Sequence, residues 1–386
     1  MRVSAPAWSC RSRCAAIHTR ALQNPFSGTG VLLNPARRER TRISSDACPY
    51  CAGRTPPTLA YVADRPGGPE LVVEGETESL ALAGALAARG TADAWEVVQA
   101  LGDRTRTGAG EGLVPLVHPP EPWLARVFLN LTPALVSRES PANAFVVSVS
   151  PAHHDADLAP IRRTVATPVL PVDVVTAVVR CWQALDDWAS VQGLTAVPFI
   201  NGGKDRASGQ SISCFHSQVV AVGPEDAPPL YQAIARRRAA AGCPVCAVLA
   251  DPGLWVADVG KVALAVHPAP DRDLTLLVAP RSETARLGEV HPLKDLARGL
   301  LLAAACLDRR LGGLPAYNVA LRLGLQVGHL HAEVVPRSGV NVRAGFEVAT
   351  GLTVLTRNPY AVAARLRSEM AGWEPAGGRA GRAPAS

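Results

Sequence analysis

Apolar residues at 174, 175, 178, 181, 182, 185 and 188 recur at the spacing of one helix face, which predicts an amphipathic helix over Val174 to Trp188. A second helix is predicted over Leu293 to Leu311. Around them lie runs of strand length: "LARVFLNL" from Leu124, "AFVVSVSP" from Ala144, Lys261 to His267, Leu274 to Val278, "AYNVALRLG" and "VGHLHAEVVPR". The short "AVLA" after "GCPVC" also reads as a strand. The first helix precedes "AVPFINGG" and "SCFHSQVVAVG", so the local order is helix, strand, Gly-rich turn, strand. That order recurs. Each half opens on C-P-x-C and closes on a helix, a strand ending near an asparagine (Asn201, Asn318), a turn, and a strand with histidine at an alternate position. The pattern predicts an α+β fold of two tandem modules, each an antiparallel sheet with packed helices. They span 24–223 and 230–371, joined near Gly223 to Pro229, with 1–23 as a disordered extension and 372–386 as a disordered tail.

Composition narrows the function. With 48% hydrophobic and 19% charged residues in 386, the chain can bury a core of two ordinary domains. The net charge of +6 is diffuse and carried mainly by arginine, with no basic run interleaved with aromatics, so nucleic acid is not the expected partner. The most apolar run, Gly299 to Leu307, is far short of the roughly 20 residues that span a bilayer. The first 20 residues carry arginines at 2, 11, 13 and 20 without the apolar block of a secretory signal, and a cytoplasmic protein is expected. Nine cysteines do not make a disulfide framework, and two C-x-x-C pairs read first as metal binding, then as redox chemistry. Neither pair opens a helix after a strand in thioredoxin fashion.

In "SCFHSQ", residues two apart on a strand share a face, so Cys214, His216 and Gln218 project together. Cys48 and Cys51 can chelate one zinc ion through a tight turn, but a structural site takes four ligands. His153, His154 and Cys214 are the candidates to complete it; against this, a lone cysteine such as Cys214 is commonly just a small buried residue. Cys243 and Cys246 have a similar partner in His329, which on a strand would share a face with His331 and Glu333. The fourth position stays open among His267, Glu283 and His291.

The set "NPFSGTGVLLNPARRERTR", "CPYC", "WLARVFLNLTPAL", "SPAHHDADL", "NGGKDRASGQSISCFHSQ", "CPVC", "YNVAL", "GHLHAEVVPR" and "GFEVATG" resembles the galactose-1-phosphate uridylyltransferase family of the histidine-triad superfamily. Its second-half motifs are most similar to the ADP-glucose phosphorylase branch, and the resemblance runs from about Asn24 to Met370. It implies two histidine-triad-like modules and the signature His-x-His-x-Gln. On that signature His216 falls on the nucleophile, Gln218 on the phosphate-holding amide, and Cys214 on the first, zinc-binding histidine. A thiolate is also a good zinc ligand, so that departure changes the ligand type and can leave the site intact. The resemblance further implies His154 as a zinc ligand with His153 as competitor, and Arg37, Arg40, Asn201 and Ser211 at the phosphate. It implies Cys243, Cys246 and His329 at a second zinc, where the family's fourth ligand, a histidine, falls near Glu283.

The implied activity is nucleotidyl transfer between a nucleotide sugar and a sugar phosphate, through a covalent nucleotidyl-histidine. Imidazole, with an ordinary pKa of roughly 6.5, suits that role because a neutral fraction exists without an extra base. Orthophosphate as acceptor would make the enzyme a phosphorylase acting on ADP-glucose. The competing reading is a zinc-stabilised nucleotide-binding protein without turnover. A homodimer is also implied by the resemblance, whereas base, sugar and acceptor are not.

Overall fold

The computed structural model describes residues 20–23, 30–33, 50, 58–65, 68–72, 122–130, 144–159, 168–203, 206–210, 212, 214–223, 228–313, 315–324, 327–337 and 344–375. Among them, β1 (Arg20–Gln23) and β2 (Gly30–Leu33) form a separate hairpin. Residues 20–23 fall in the expected disordered extension; their four-residue strand has no pattern of its own and is defined by its pairing with the apolar Gly30–Leu33.

The remaining strands make one antiparallel sheet. They are β3 (Ala60–Arg65), β4 (Gly68–Val72), β5 (Trp123–Leu129), β6 (Ala144–Val149), β7 (Thr195–Gly202), β8 (His216–Val222), β9 (Trp255–Val259), β10 (Val262–Val266), β11 (Leu276–Pro280), β12 (Tyr317–Arg322) and β13 (His331–Pro336). The spatial order is β4-β3-β5-β6-β8-β7-β12-β13-β11-β10-β9. Read inward from β3 and from β9, the two sides run alike: three strands in chain order, then a strand pair whose first member lies innermost. The sides meet where β7 pairs with β12, Asn201 opposite Asn318 and Phe199 opposite Ala320.

Six α-helices accompany the sheet among the described residues: α1 (Val172–Val191), α2 (Pro229–Ala241), α3 (Pro244–Ala250), α4 (Leu293–Leu311), α5 (Gly345–Thr350) and α6 (Pro359–Glu369). None is long and apolar enough to cross a membrane. Helices α1 and α4 are the two predicted from periodicity, one in each half. Both bury their apolar sides on the same face of the sheet and against each other, with Val178, Trp182 and Leu185 of α1 and Leu296, Leu300 and Leu307 of α4 in one core. A Cβ on Gly299 would come within 2.7 Å of Val278, so glycine there lets α4 approach β11 closely. Helix α4 stops at Gly312, whose φ of 69° suits a residue without Cβ.

"AVLA" belongs to α3, not to a strand. Pro244 stands in the first helical turn and the Cys243 sulfur accepts the Cys246 amide, so the C-x-x-C itself caps a helix and overrides the apolar run that follows.

Candidate functional site

Alternation along the strands decides what faces away from α1 and α4. Phe215, Val219 and Ala221 of the β8 segment join the helix-side core, as do Ala196 and Ile200 of β7, Val319 and Leu321 of β12, and Ala332 and Val334 of β13. His216 and Gln218, Asn201, Asn318 and Glu333 therefore stand on the opposite face. Cross-strand pairing lines them up. One row runs Arg126, Ser148, His216, then across β7 to Asn201 and Asn318, and the next runs Phe128, Val146, Gln218, Phe199, Ala320, Glu333. A polar row thus crosses the sheet through the histidine.

The strand begins at His216, and Cys214 sits in the bend before it. The His216 Nδ1 lies 2.9 Å from the Cys214 carbonyl. A carbonyl can only accept, so Nδ1 carries the proton and Nε2 the lone pair. Beside it, Asn130 Nδ2 donates to Gln218 Oε1 at 3.0 Å, which leaves the Gln218 NH2 group to point away from Asn130. From the helix side, Trp182 donates to the Ser217 hydroxyl at 2.8 Å and fixes the strand's rotation. His216 is 3% and Gln218 8% exposed. The Tyr50 ring meets His216 edge-on at 5.2 Å and also packs on Cys214, Ile212 and Phe128. Fully buried Arg126 donates to the Tyr50 carbonyl at 2.8 Å, so an arginine of the same row holds the residue that covers the histidine.

The Gly-rich turn after β7 is held from below. Asp157 accepts the Gly203 amide at 3.0 Å and the Leu158 amide at 2.8 Å, and Tyr317 donates its hydroxyl to the same carboxylate. Burial, with Asp157 adding to it, raises the Tyr317 pKa well above the ordinary range, so the phenol stays a donor. The Tyr317 ring occupies the space a Cβ on Gly202 would take, 2.0 Å from its Cζ, and Gly203 has φ of 82°. Only glycines fit there.

A second group lies in the C-terminal half. Cys243, Cys246, Glu283 and His329 offer ligand atoms all within 4.8 Å of one another. His329 Nδ1 is 3.3 Å from Cys243 Sγ and 3.2 Å from Cys246 Sγ, and Cys246 Sγ is 3.6 Å from Glu283 Oε2. His329 Nε2 lies 2.9 Å from the Pro280 carbonyl, which places the proton there and turns the Nδ1 lone pair on the two sulfurs. Two soft sulfurs, one imidazole lone pair and one carboxylate oxygen at this separation suit a tetrahedral zinc ion. This group could hold a metal.

No family model and no curated protein matches the chain at the level of sequence. Solved structures do match. An ADP-glucose phosphorylase from Arabidopsis thaliana with bound ADP-glucose is 19% identical, with a TM-score of 0.56 over 90% of this chain and 98% of that one. A uridylyltransferase is 21% identical, TM-score 0.54, over 69% and 92%. A GALT-like protein from Arabidopsis thaliana is 21% identical, TM-score 0.51, over 64% and 84%. The chain shares their fold. At the level of architecture, then, the resemblance read from the motifs holds.

The structure brings His216, Gln218 and Asn201 onto adjacent strands of one face, and gathers Cys243, Cys246 and His329 with Glu283 as the fourth member rather than His267 or His291. His329 precedes β13 instead of lying on it. Cys48, Cys51, Arg37, Arg40 and Ser211 lie outside the described residues. His154 brings its carbonyl to the Phe215 amide at 3.1 Å, next to Cys214, while its ring contacts the Pro151 carbonyl and Asp155. His153 is half-buried, and burial lowers its pKa despite nearby Asp64. Sequence reasoning missed Arg126, Asn130, Asp157 and Tyr317. Arg126 had one signal: a charge at a position whose neighbours two residues away are apolar, in a strand that is otherwise buried.

Proposed function

We propose that the chain is a nucleotidyltransferase acting on nucleoside-diphosphate sugars, with His216 as nucleophile. Nε2 attacks the α-phosphorus; the P–N bond forms as the bond from phosphorus to the bridging oxygen breaks, and the sugar 1-phosphate leaves. An acceptor oxygen then attacks the same phosphorus, the P–N bond breaks, and the ring returns to its starting tautomer. Charge on the non-bridging oxygens is met by the Gln218 NH2, by the Gly202-Gly203 turn, and by Asn201, Ser211, Arg37 and Arg40.

The observation that carries this reading is the Nδ1–H to Cys214 carbonyl bond, which leaves the ring's lone pair on Nε2, beside an amide whose NH2 points away from Asn130. His216 is buried under Tyr50, so a diphosphate reaches it along the polar row from the half-exposed Asn201 side, or as the Tyr50 turn moves aside. Zinc is structural in this account. Cys243, Cys246, His329 and Glu283 would hold one ion, and Cys48, Cys51, His154 and Cys214 another; metal fixes where strands and turns lie and no step passes through it. The two halves are read as copies of one histidine-triad-like module.

A hexose 1-phosphate acceptor gives a uridylyltransferase. Orthophosphate gives an ADP-glucose phosphorylase, a reading supported by Cys243, Cys246 and His329, which the motif resemblance assigns to the phosphorylase branch and which lie together with Glu283. Incubation with base-labelled UDP-glucose or ADP-glucose should leave acid-labile label on the wild type and none on His216→Ala. Zinc in the protein with no label from either sugar nucleotide would support a binding protein instead.

A further inference from the structure

We infer that Asn318, a residue of the C-terminal half, is a positioning residue for the phosphate side of the site: it sets the amide of Asn201 so that nitrogen, not oxygen, faces the substrate. The inference rests on the nucleotidyl-transfer reading above.

Asn318 stands directly opposite Asn201 where β12 pairs with β7. Its Nδ2 lies 2.9 Å from the Ser208 carbonyl, 3.5 Å from the Ile200 carbonyl and 2.8 Å from the Asn201 side chain. Backbone carbonyls cannot donate, so the Asn318 group facing them is its NH2. The Asn201 atom that meets this NH2 must then be an acceptor, Oδ1. Because an amide is planar, the Asn201 NH2 is turned away from Asn318, and no described residue accepts from it. Extending the register one step past the Ile200–Ser217 pair sets His216 beyond Asn201. A phosphate offers only acceptors; a carbonyl oxygen aimed at it would repel, and an NH2 donates. One hydrogen bond across the middle of the sheet therefore chooses the sign of the dipole that the site presents.

The same asparagine ties down Ser208, in the short 3₁₀ turn (Arg206–Ser208) on the way from the Gly-rich turn to the motif strand, and Arg337 donates to the Ala207 carbonyl at 3.4 Å. In this respect the N-terminal half's site is finished by residues of the other half. The N-terminal half has no substitute in place, since the donor comes from β12.

A double-mutant cycle tests this, read as the single-turnover rate of His216 labelling by whichever of UDP-glucose and ADP-glucose labels the wild type. Asn201→Ala should slow labelling roughly tenfold to a hundredfold, the effect of one hydrogen bond to a charged group. Asn318→Ala should slow it as much, and the double variant should be no slower than Asn201→Ala within about twofold, because the part of Asn318 that bears on the phosphate passes through Asn201. Effects that multiply would overturn the inference. Asn318→Asp keeps the volume but sets oxygens against the Ser208 and Ile200 carbonyls, so it should be as slow as Asn318→Ala; labelling at the wild-type rate would equally overturn it. Should the variants fold poorly, side-chain amide exchange in the wild type decides: the Asn318 NH2 protons should be protected, and exchange at the rate of an exposed asparagine would sink the idea. A wild type that takes no label from either nucleotide removes the transfer reading, and with it the phosphate-facing role of Asn201, while protected Asn318 protons would still show the clamp in place.

Discussion

The two halves of the sheet place different chemistry on one geometry. In each, a strand ends with an amide bonded to the first carbonyl of the next pairing, Asn130 to Ala144 and His267 to Thr275, both near 3 Å. In each, a histidine donates Nδ1–H to the carbonyl two residues earlier, His216 to Cys214 and His331 to His329, both at 2.9 Å. Strand registers then match Gln218 with Glu333 and Asn201 with Arg322. The N-terminal half has amides at these positions; the C-terminal half has an ion pair, Arg322 bonding Glu333 through two nitrogens at 3.2 and 2.7 Å. Burial alone would raise the Glu333 pKa, but Arg322 more than offsets it and holds the carboxylate ionised. A carboxylate repels a phosphate where an amide can donate to it. Gln218 and Glu333 lie three strand spacings apart in one row, roughly 14 Å. Local side chains, not fold, therefore distinguish the two halves: neutral amides stand beside the histidine in the N-terminal half and an ion pair in the C-terminal half.

The largest expected effect breaks the anchoring side. Cys246→Ser should lower bound zinc by one ion per chain, measured by elemental analysis, and cost several kcal/mol of unfolding free energy in urea, because that group ties α3 to the turn before β13 and to the loop after β11. An unchanged zinc count would refute the assignment. Next is Arg126, wholly buried in the N-terminal half, whose counterpart by register is Ala263, under α3 with Val245 and Leu249. Arg126→Ala should cost about 4 kcal/mol, since it opens a cavity and strands the acceptors at Tyr50, Thr58 and Ser148. A loss under about 1 kcal/mol would show that the two halves do not differ in what this position requires.

An exchange at the matched positions sharpens the comparison. Gln218→Glu, which gives the N-terminal half the C-terminal residue, should slow labelling of His216 about a hundredfold by setting a carboxylate against the phosphate. Glu333→Gln should leave the labelling rate unchanged and cost about 1–2 kcal/mol of stability through the lost Arg322 fork. If both variants slow labelling alike, the division of labour fails.

Much of this arrangement is legible in the chain. Helices α1 and α4 are readable because each buries one side, and periodicity reports burial. The shared face of His216 and Gln218 is readable because alternation along a strand fixes it. The joining of both halves into one sheet is not, since it depends on β7 meeting β12 in a single register, and no local pattern encodes a partner 117 residues away. Asp157 and Tyr317 are hidden for the same reason: each looks like an ordinary loop or strand residue until the fold brings them together. The α3 helix reads as a strand because four apolar residues fit either element, and the deciding signal is the cap formed by Cys243, a residue whose spacing points first to metal.

A last pair of variants distinguishes a glycine held by the other half from one that answers only to its own turn. At Gly202 a Cβ would meet the Tyr317 ring at 2.0 Å, and that ring is wholly buried and bonded to Asp157, so it cannot swing away. Gly202→Ala should therefore cost about 3 kcal/mol and displace the Gly-rich turn. Gly209, with φ of 84°, has nothing within 4 Å of the place its Cβ would take, so Gly209→Ala meets only backbone strain and should cost about 1 kcal/mol. Urea unfolding of both variants reads the difference. Equal losses would mean that the conformation of the turn, and not the C-terminal half's tyrosine, is what requires glycine at 202; a larger loss at 202 that shrinks in a Tyr317→Phe background, where the ring is released from Asp157, would locate the constraint in the contact between the halves.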